Sequence, residues 1–197
     1  MMSNTNDAAA NESSDSAAGM TANATCHDSH MSTTSETGNA PKATIRFAGS
    51  GLTLAADIYG DDNAPTVMLT HGGGQTRHAW GGAGAAFANA GYRAVSIDLR
   101  GHSDSDWSPD GDYSLQRYAD DLIEVANTCS RPPALVGASL GGLASMLALA
   151  TNSRSASTPL ASCLVLVDVA PRIETAGRIK IQELMRAGMR GFDNLEE

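Results

Sequence analysis

The sequence predicts an α/β fold, a mostly parallel sheet with helices on both faces. Three observations carry that expectation. From Thr66 onward, short apolar runs alternate with longer helical patterns. Several of the runs, such as Val67-Met68-Leu69 and Cys163-Leu164-Val165-Leu166-Val167, are apolar on both faces, as strands covered on both sides must be. A third run, Ala134-Leu135-Val136, leads straight into Gly137-Ala138-Ser139-Leu140-Gly141-Gly142 and then an apolar stretch from Leu143 to Ala150: strand, serine-bearing glycine turn, helix.

Taken in order, the pattern opens after Pro41 with extended runs from Ala43 to Phe47 and from Leu52 to Tyr59, broken at Gly49-Ser50-Gly51, which reads as a hairpin. Next come a strand at Val67–Leu69, a helix around Trp80 to Ala90, and a strand at Ala94–Ile97 followed by a long polar loop. Leu115, Tyr118, Ala119, Leu122, Ile123 and Ala126 then step by three and four, giving an amphipathic helix with Ser114 placed as its N-cap. The serine turn needs Gly137 and Gly141. A serine held on a tight strand-to-helix turn tolerates no bulk two residues away on either side. The alternative is a plain glycine-rich turn. After the strand at Cys163–Val167 and Pro171, Ile181, Leu184 and Met185 share one face of a last helical segment.

Composition narrows the function classes. The chain has 197 residues, 42% of them hydrophobic, enough for one domain with a core. Residues 1–40 hold no Leu, Ile, Val, aromatic, Lys or Arg and are expected to be disordered. Asp7, Glu12, Asp15, Asp28 and Glu36 place 5 of the 9 net negative charges in this tail. With no cluster of Lys and Arg, nucleic acid is not an expected partner. No signal-peptide pattern and no apolar run near the roughly 20 residues of a bilayer span are present, so the expectation is a soluble cytoplasmic protein without a membrane partner. Cys26, Cys129 and Cys163 are widely spaced and read as reduced thiols. Cys26-His27-Asp28-Ser29-His30 has metal-ligating residue types, but a disordered segment gives them no geometry, and neither a metal nor an organic cofactor is expected.

Function in an open parallel sheet collects at the carboxyl ends of its strands. Read together, those ends are His71-Gly72-Gly73-Gly74-Gln75-Thr76-Arg77-His78, then Asp98-Leu99-Arg100-Gly101-His102-Ser103, the serine turn, and Asp168-Val169-Ala170-Pro171. This order resembles the α/β-hydrolase fold family, in particular its cap-bearing esterase, cofactor-free haloperoxidase and epoxide hydrolase-like branch, from about Lys42 onward. The resemblance implies a core over 41–171 made of an N-terminal hairpin and strands three to six, the start of a cap helix region at 172–197, and the absence of the last two core strands. It also implies Ser139 as nucleophile, with the backbone N–H groups of Gly73 and Leu140 as oxyanion hole. Epoxide hydrolases place a carboxylate at the nucleophile position, so a serine there favours acyl chemistry on a small-molecule ester or activated acyl substrate.

A serine nucleophile needs an imidazole to take its proton and an acid to orient that imidazole. The family's histidine follows the last core strand, yet no histidine follows Ser139 in this sequence. His71 matches the histidine that braces the oxyanion loop, His102 reads as structural, and His78 as solvent-facing or cap-facing. Asp168 is the candidate acid, its alternative being a structural aspartate at a strand end. Trp80 and Trp107 are left unassigned. The expectation is a serine hydrolase whose chain is cut short. A second reading is a non-catalytic protein of the same fold acting through binding or dimerisation, with its oligomeric state open.

Overall fold

The computed structural model describes residues 40–152 and 158–169, with positions 179, 180, 183 and 186 of a further helical segment. The chain divides into two units, 1–34 and 35–197, and the first lies wholly outside the described residues. So do Cys26, His27, His30, Ile181, Leu184 and Met185.

The hairpin forms as its alternating pattern requires. β1 (Ala43–Ala48) and β2 (Thr53–Tyr59) pair antiparallel, with Ala43 opposite Ile58 and Ala48 opposite Thr53. The turn closes through the Gly49 N–H donating to Leu52 O at 2.8 Å, and Gly51 takes the left-handed φ of 79°. β3 (Thr66–Thr70), β4 (Arg93–Ile97), β5 (Ala134–Ala138) and β6 (Cys163–Val167) run parallel, and the sheet order is β1-β2-β4-β3-β5-β6. β2 is antiparallel to both β1 and β4, so β2 alone runs against the direction shared by the other five described strands.

Alternation along each strand sorts the core into two layers. Ala56, Ile58, Met68, Val95, Ile97 and Leu135 face α2 (Leu115–Asn127) and α3 (Leu140–Asn152). Tyr59, Val67, Leu69, Ala94 and Val136 face α1 (Gly81–Asn89). The run of small residues in α1 has a steric cause. A Cβ on Gly84 would stand 2.7 Å from the Tyr59 ring, so the helix can lie on the sheet only because residue 84 is glycine. A short 3-10 turn, Arg77–Trp80, precedes α1, which makes the helix expected around Trp80 start one residue later.

α2 turns Tyr118, Ala119, Leu122, Val125 and Ala126 inward, as the three-and-four spacing requires. Ser114 does occupy the N-cap position but makes no side-chain cap bond. Asp112 organises this turn instead: its carboxylate accepts the Ser114 N–H at 2.9 Å and the Arg117 Nε–H at 3.1 Å. Beneath it a buried Arg100–Asp121 pair (Nε to Oδ2, 2.7 Å) ties the loop after β4 to α2. β6 is an edge strand of the described sheet, with β1 at the other edge, and Val165 and Val167 are exposed on it. Cys129 and Cys163 are free thiols. Among the described residues no helix is long and apolar enough to cross a membrane.

Candidate active site

The carboxyl ends of β3, β4, β5 and β6 lie along one edge of the sheet, and the candidate residues gather there. The turn between β5 and α3 is as tight as its sequence demands. Ser139 has φ of 43°, a left-handed conformation that costs a residue with a Cβ about 1–2 kcal/mol. Its N–H donates to Val167 O at 3.1 Å, its carbonyl accepts the Leu143 N–H at 3.0 Å, and the residue is exposed. A Cβ on Gly137 would sit 2.6 Å from the backbone N and Cα of Gly142, and one on Gly141 would sit 2.6 Å from Thr70 O. Both glycines are therefore demanded by backbone neighbours, which do not yield as a flexible side chain would. Gly142 is under the same constraint: its Cβ would stand 2.9 Å from Gly137 O and 2.6 Å from Val169 Cγ1.

Facing this elbow is the loop after β3. Gln75 N–H donates to Gly72 O at 3.1 Å, and Gly74 has φ of 77°, so Gly72–Gln75 is a turn that needs glycine at its third position. The point a Cβ on Gly72 would occupy lies 3.5 Å from Ser139 Cβ, which places the loop directly beside the serine. Among the described residues, neither the Gly73 N–H nor the Leu140 N–H has a hydrogen-bond partner. The Gly141 N–H, by contrast, is taken by His71 O at 3.2 Å.

The loop after β4 holds the glycine loop in place. His71 is fully buried; its Nε2 accepts the Leu99 N–H at 3.1 Å, so Nδ1 carries the proton and donates to Gly72 O at 2.8 Å. Burial pushes its pKa below the ordinary histidine value, partly opposed by the bond to Gly72. His102 follows the same logic, with Nε2 accepting the Gly74 N–H at 3.2 Å and Nδ1–H donating to Arg100 O at 3.0 Å. The two rings meet edge to face at 4.9 Å between centroids. His78 is exposed, with its Nδ1 at 3.2 Å from Thr76 Oγ1 and its Nε2 at 3.9 Å from Asp57. All three described histidines are thus engaged away from Ser139.

A buried ion cluster, unread in the sequence, anchors the far end of the loop. The Arg77 guanidinium contacts Asp57 (3.0 Å), Asp98 and Asp104 (2.8 Å), and the Arg77 N–H donates to Asp98 Oδ1 at 2.6 Å. Burial works against the arginine's charge, but three carboxylates outweigh it and raise its pKa. Nothing in the spacing of residues 57, 77, 98 and 104 marks them as neighbours. Asp168 sits one residue beyond β6 with φ of 52°, exposed, its backbone next to the elbow through the Val167–Ser139 bond. Its carboxylate meets no imidazole among the described residues, nor does any cluster of three or more His, Cys, Asp or Glu suited to a metal occur among them.

A glycine-flanked serine on a strained strand-to-helix turn, set beside a braced glycine loop at the carboxyl edge of a parallel sheet, defines a hydrolase-type scaffold. The alpha/beta hydrolase family model matches residues 67–194, and the chain belongs to that family. An esterase of Mycobacterium tuberculosis is 39% identical over 111 residues, which cover 55% of this chain and 34% of the esterase. A 3-oxoadipate enol-lactonase of Acinetobacter baylyi is 31% identical over 97 residues, covering 49% of this chain and 35% of the lactonase. The crystal structure of an alpha/beta hydrolase from Novosphingobium aromaticivorans superposes with a TM-score of 0.62 at 26% identity, over 73% of this chain and 50% of that one. The chain spans about a third of the length of these two curated relatives.

Proposed function

We propose that this chain carries the nucleophile and oxyanion hole of a serine hydrolase acting on a small-molecule ester or other activated acyl compound. The observation that carries the reading is the pairing of an exposed, strained Ser139 with two unpartnered backbone donors, Gly73 and Leu140. Ser139 Oγ attacks the acyl carbon, its proton passes to a base, and negative charge gathers on the carbonyl oxygen within reach of the two N–H groups. The leaving alcohol departs with that proton, and water later cleaves the acyl–Ser139 ester to release the acid. The similarity to an esterase and an enol-lactonase favours acyl–oxygen cleavage over epoxide opening, for which the family uses a carboxylate in place of Ser139.

The base is not His71 or His102, whose acceptor nitrogens are already filled by backbone N–H groups. In this reading the imidazole comes from polypeptide outside these 197 residues, and Asp168, beside the elbow, is the acid that orients it. The test is a fluorophosphonate probe applied to the protein purified from its own source, with intact mass and peptide mapping. A single adduct on Ser139, lost in Ser139→Ala, is expected. Equal labelling of wild type and Ser139→Ala would sink the reading.

A further inference from the structure

One side chain on the glycine loop has its polar atoms only half used. Gln75 accepts the Gly72 N–H through Oε1 at 2.9 Å, while its own backbone N–H donates to Gly72 O at 3.1 Å. Only the oxygen of a carboxamide can accept an N–H, so this bond fixes the orientation of the amide. Oε1 is turned to Gly72, and Nε2 keeps two N–H donors, which have no partner among the described residues. Gln75 is exposed, so these donors are open to an incoming molecule.

Position gives the donors a purpose. The point where a Cβ on Gly72 would stand is 3.1 Å from Gln75 Oε1, 3.6 Å from Gln75 Cδ and 3.5 Å from Ser139 Cβ. The carboxamide and the serine therefore flank one small volume, left open because residue 72 has no side chain, and the neighbouring residue is Gly73. On this basis, and resting on the reading of Ser139 as nucleophile, we infer that Gln75 is a substrate-contacting donor. Its Nε2–H reaches the oxygen that gains charge when Ser139 is acylated, as a side-chain third member of the oxyanion hole. No bond to Gln75 forms or breaks, and its protons stay on nitrogen throughout.

The test reads the amide itself. In isotope-labelled protein, the Gln75 side-chain NH2 signals are assigned by their loss in Gln75→Glu, then followed while a fluorophosphonate forms its adduct on Ser139. The phosphonyl oxygen stands in for the charged oxygen of the acylation intermediate. Expected is a downfield shift and slowed solvent exchange of one Gln75 amide proton. An adduct on Ser139 that leaves these signals unmoved overturns the inference and spares the nucleophile, whereas no adduct on Ser139 overturns both.

Two variants put the donor to a second test. Gln75→Glu keeps an oxygen for the Gly72 N–H but loses the donor; Gln75→Ala loses both. If Nε2 donates, both variants label at least about tenfold more slowly, on the low side of what loss of one oxyanion donor costs. Wild-type labelling in Gln75→Glu, whose anion stands where the donor stood, overturns the inference.

Discussion

Replacing Gly141 by alanine tests the packing of the elbow with the least chemical change. The added Cβ would meet Thr70 O at 2.6 Å, Thr70 C at 2.7 Å and Thr70 Oγ1 at 2.7 Å. Two of these atoms are backbone in the middle of the sheet, where β3 is hydrogen-bonded on both sides, so relief requires shifting α3 or the end of β3. Overpacking of this kind costs about 1–3 kcal/mol, and the absence of any flexible neighbour places Gly141→Ala at the upper end, about 3 kcal/mol. With a urea m-value of roughly 2 kcal/mol/M for a domain of this size, the midpoint should fall by about 1.5 M at unchanged m. Gly82→Ala is the internal control. It lies in α1 with nothing within 4 Å of its would-be Cβ, and alanine there should be neutral or stabilising by up to about 1 kcal/mol. A Gly141→Ala midpoint within about 0.3 M of wild type would refute the claim that the turn is closed by backbone contact.

Three further outcomes follow from the same geometry. Arg77→Met leaves Asp57 and Asp98 buried without their cation and should cost about 3–5 kcal/mol in urea titrations; a loss below about 1 kcal/mol would contradict the pairing. Ser139→Gly relieves the left-handed strain that Ser139→Ala retains, so by thermal melting it should be the more stable of the two by about 1 kcal/mol. His71 has its folded pKa lowered, so unfolding takes up a proton as pH drops below the ordinary histidine value of about 6.5, and stability is lost on the acid side. Stability measured from about pH 7 to about pH 5 should therefore decline less steeply in His71→Gln, by up to about 1.4 kcal/mol per pH unit, and identical slopes would show that His71 is not held neutral.

The elements legible in the sequence are those whose cause is local. Apolar runs ended by turn-forming residues mark β1 to β6, the three-and-four step marks α2, and the spacing of Gly137, Ser139 and Gly141 marks the elbow, because each rule acts within a few residues. Ser114 takes the N-cap position but not the cap bond for an equally local reason: Asp112, two residues earlier, accepts the Ser114 N–H and engages its hydroxyl. What stayed hidden depends on strands far apart in sequence being laid side by side. Asp57 and Asp98 meet Arg77 only because β2 and β4 are neighbours and the 3-10 turn folds over their ends. Gln75 escaped notice because its meaning lies in which of its atoms is free, and that is decided by a single bond to Gly72.

The loops after β3 and β4 are locked by three bonds of one kind, in which an imidazole or carboxylate accepts a backbone N–H: Leu99 to His71, Gly74 to His102 and Arg77 to Asp98. An imidazole whose acceptor nitrogen is filled cannot also take the Ser139 proton, so these histidines serve shape. That assignment can be separated from base catalysis by chemical rescue. His102→Ala frees the Gly74 N–H and removes the ring packed on His71, so fluorophosphonate labelling of Ser139 should slow by about tenfold while the fold persists. Added imidazole should leave the ratio of the wild-type and His102→Ala rates unchanged, since the small molecule can supply a base but cannot restore the position of the loop. Selective rescue of His102→Ala back to the wild-type rate would mean that His102 is itself the base, and that the Gly74 bond opens during the reaction.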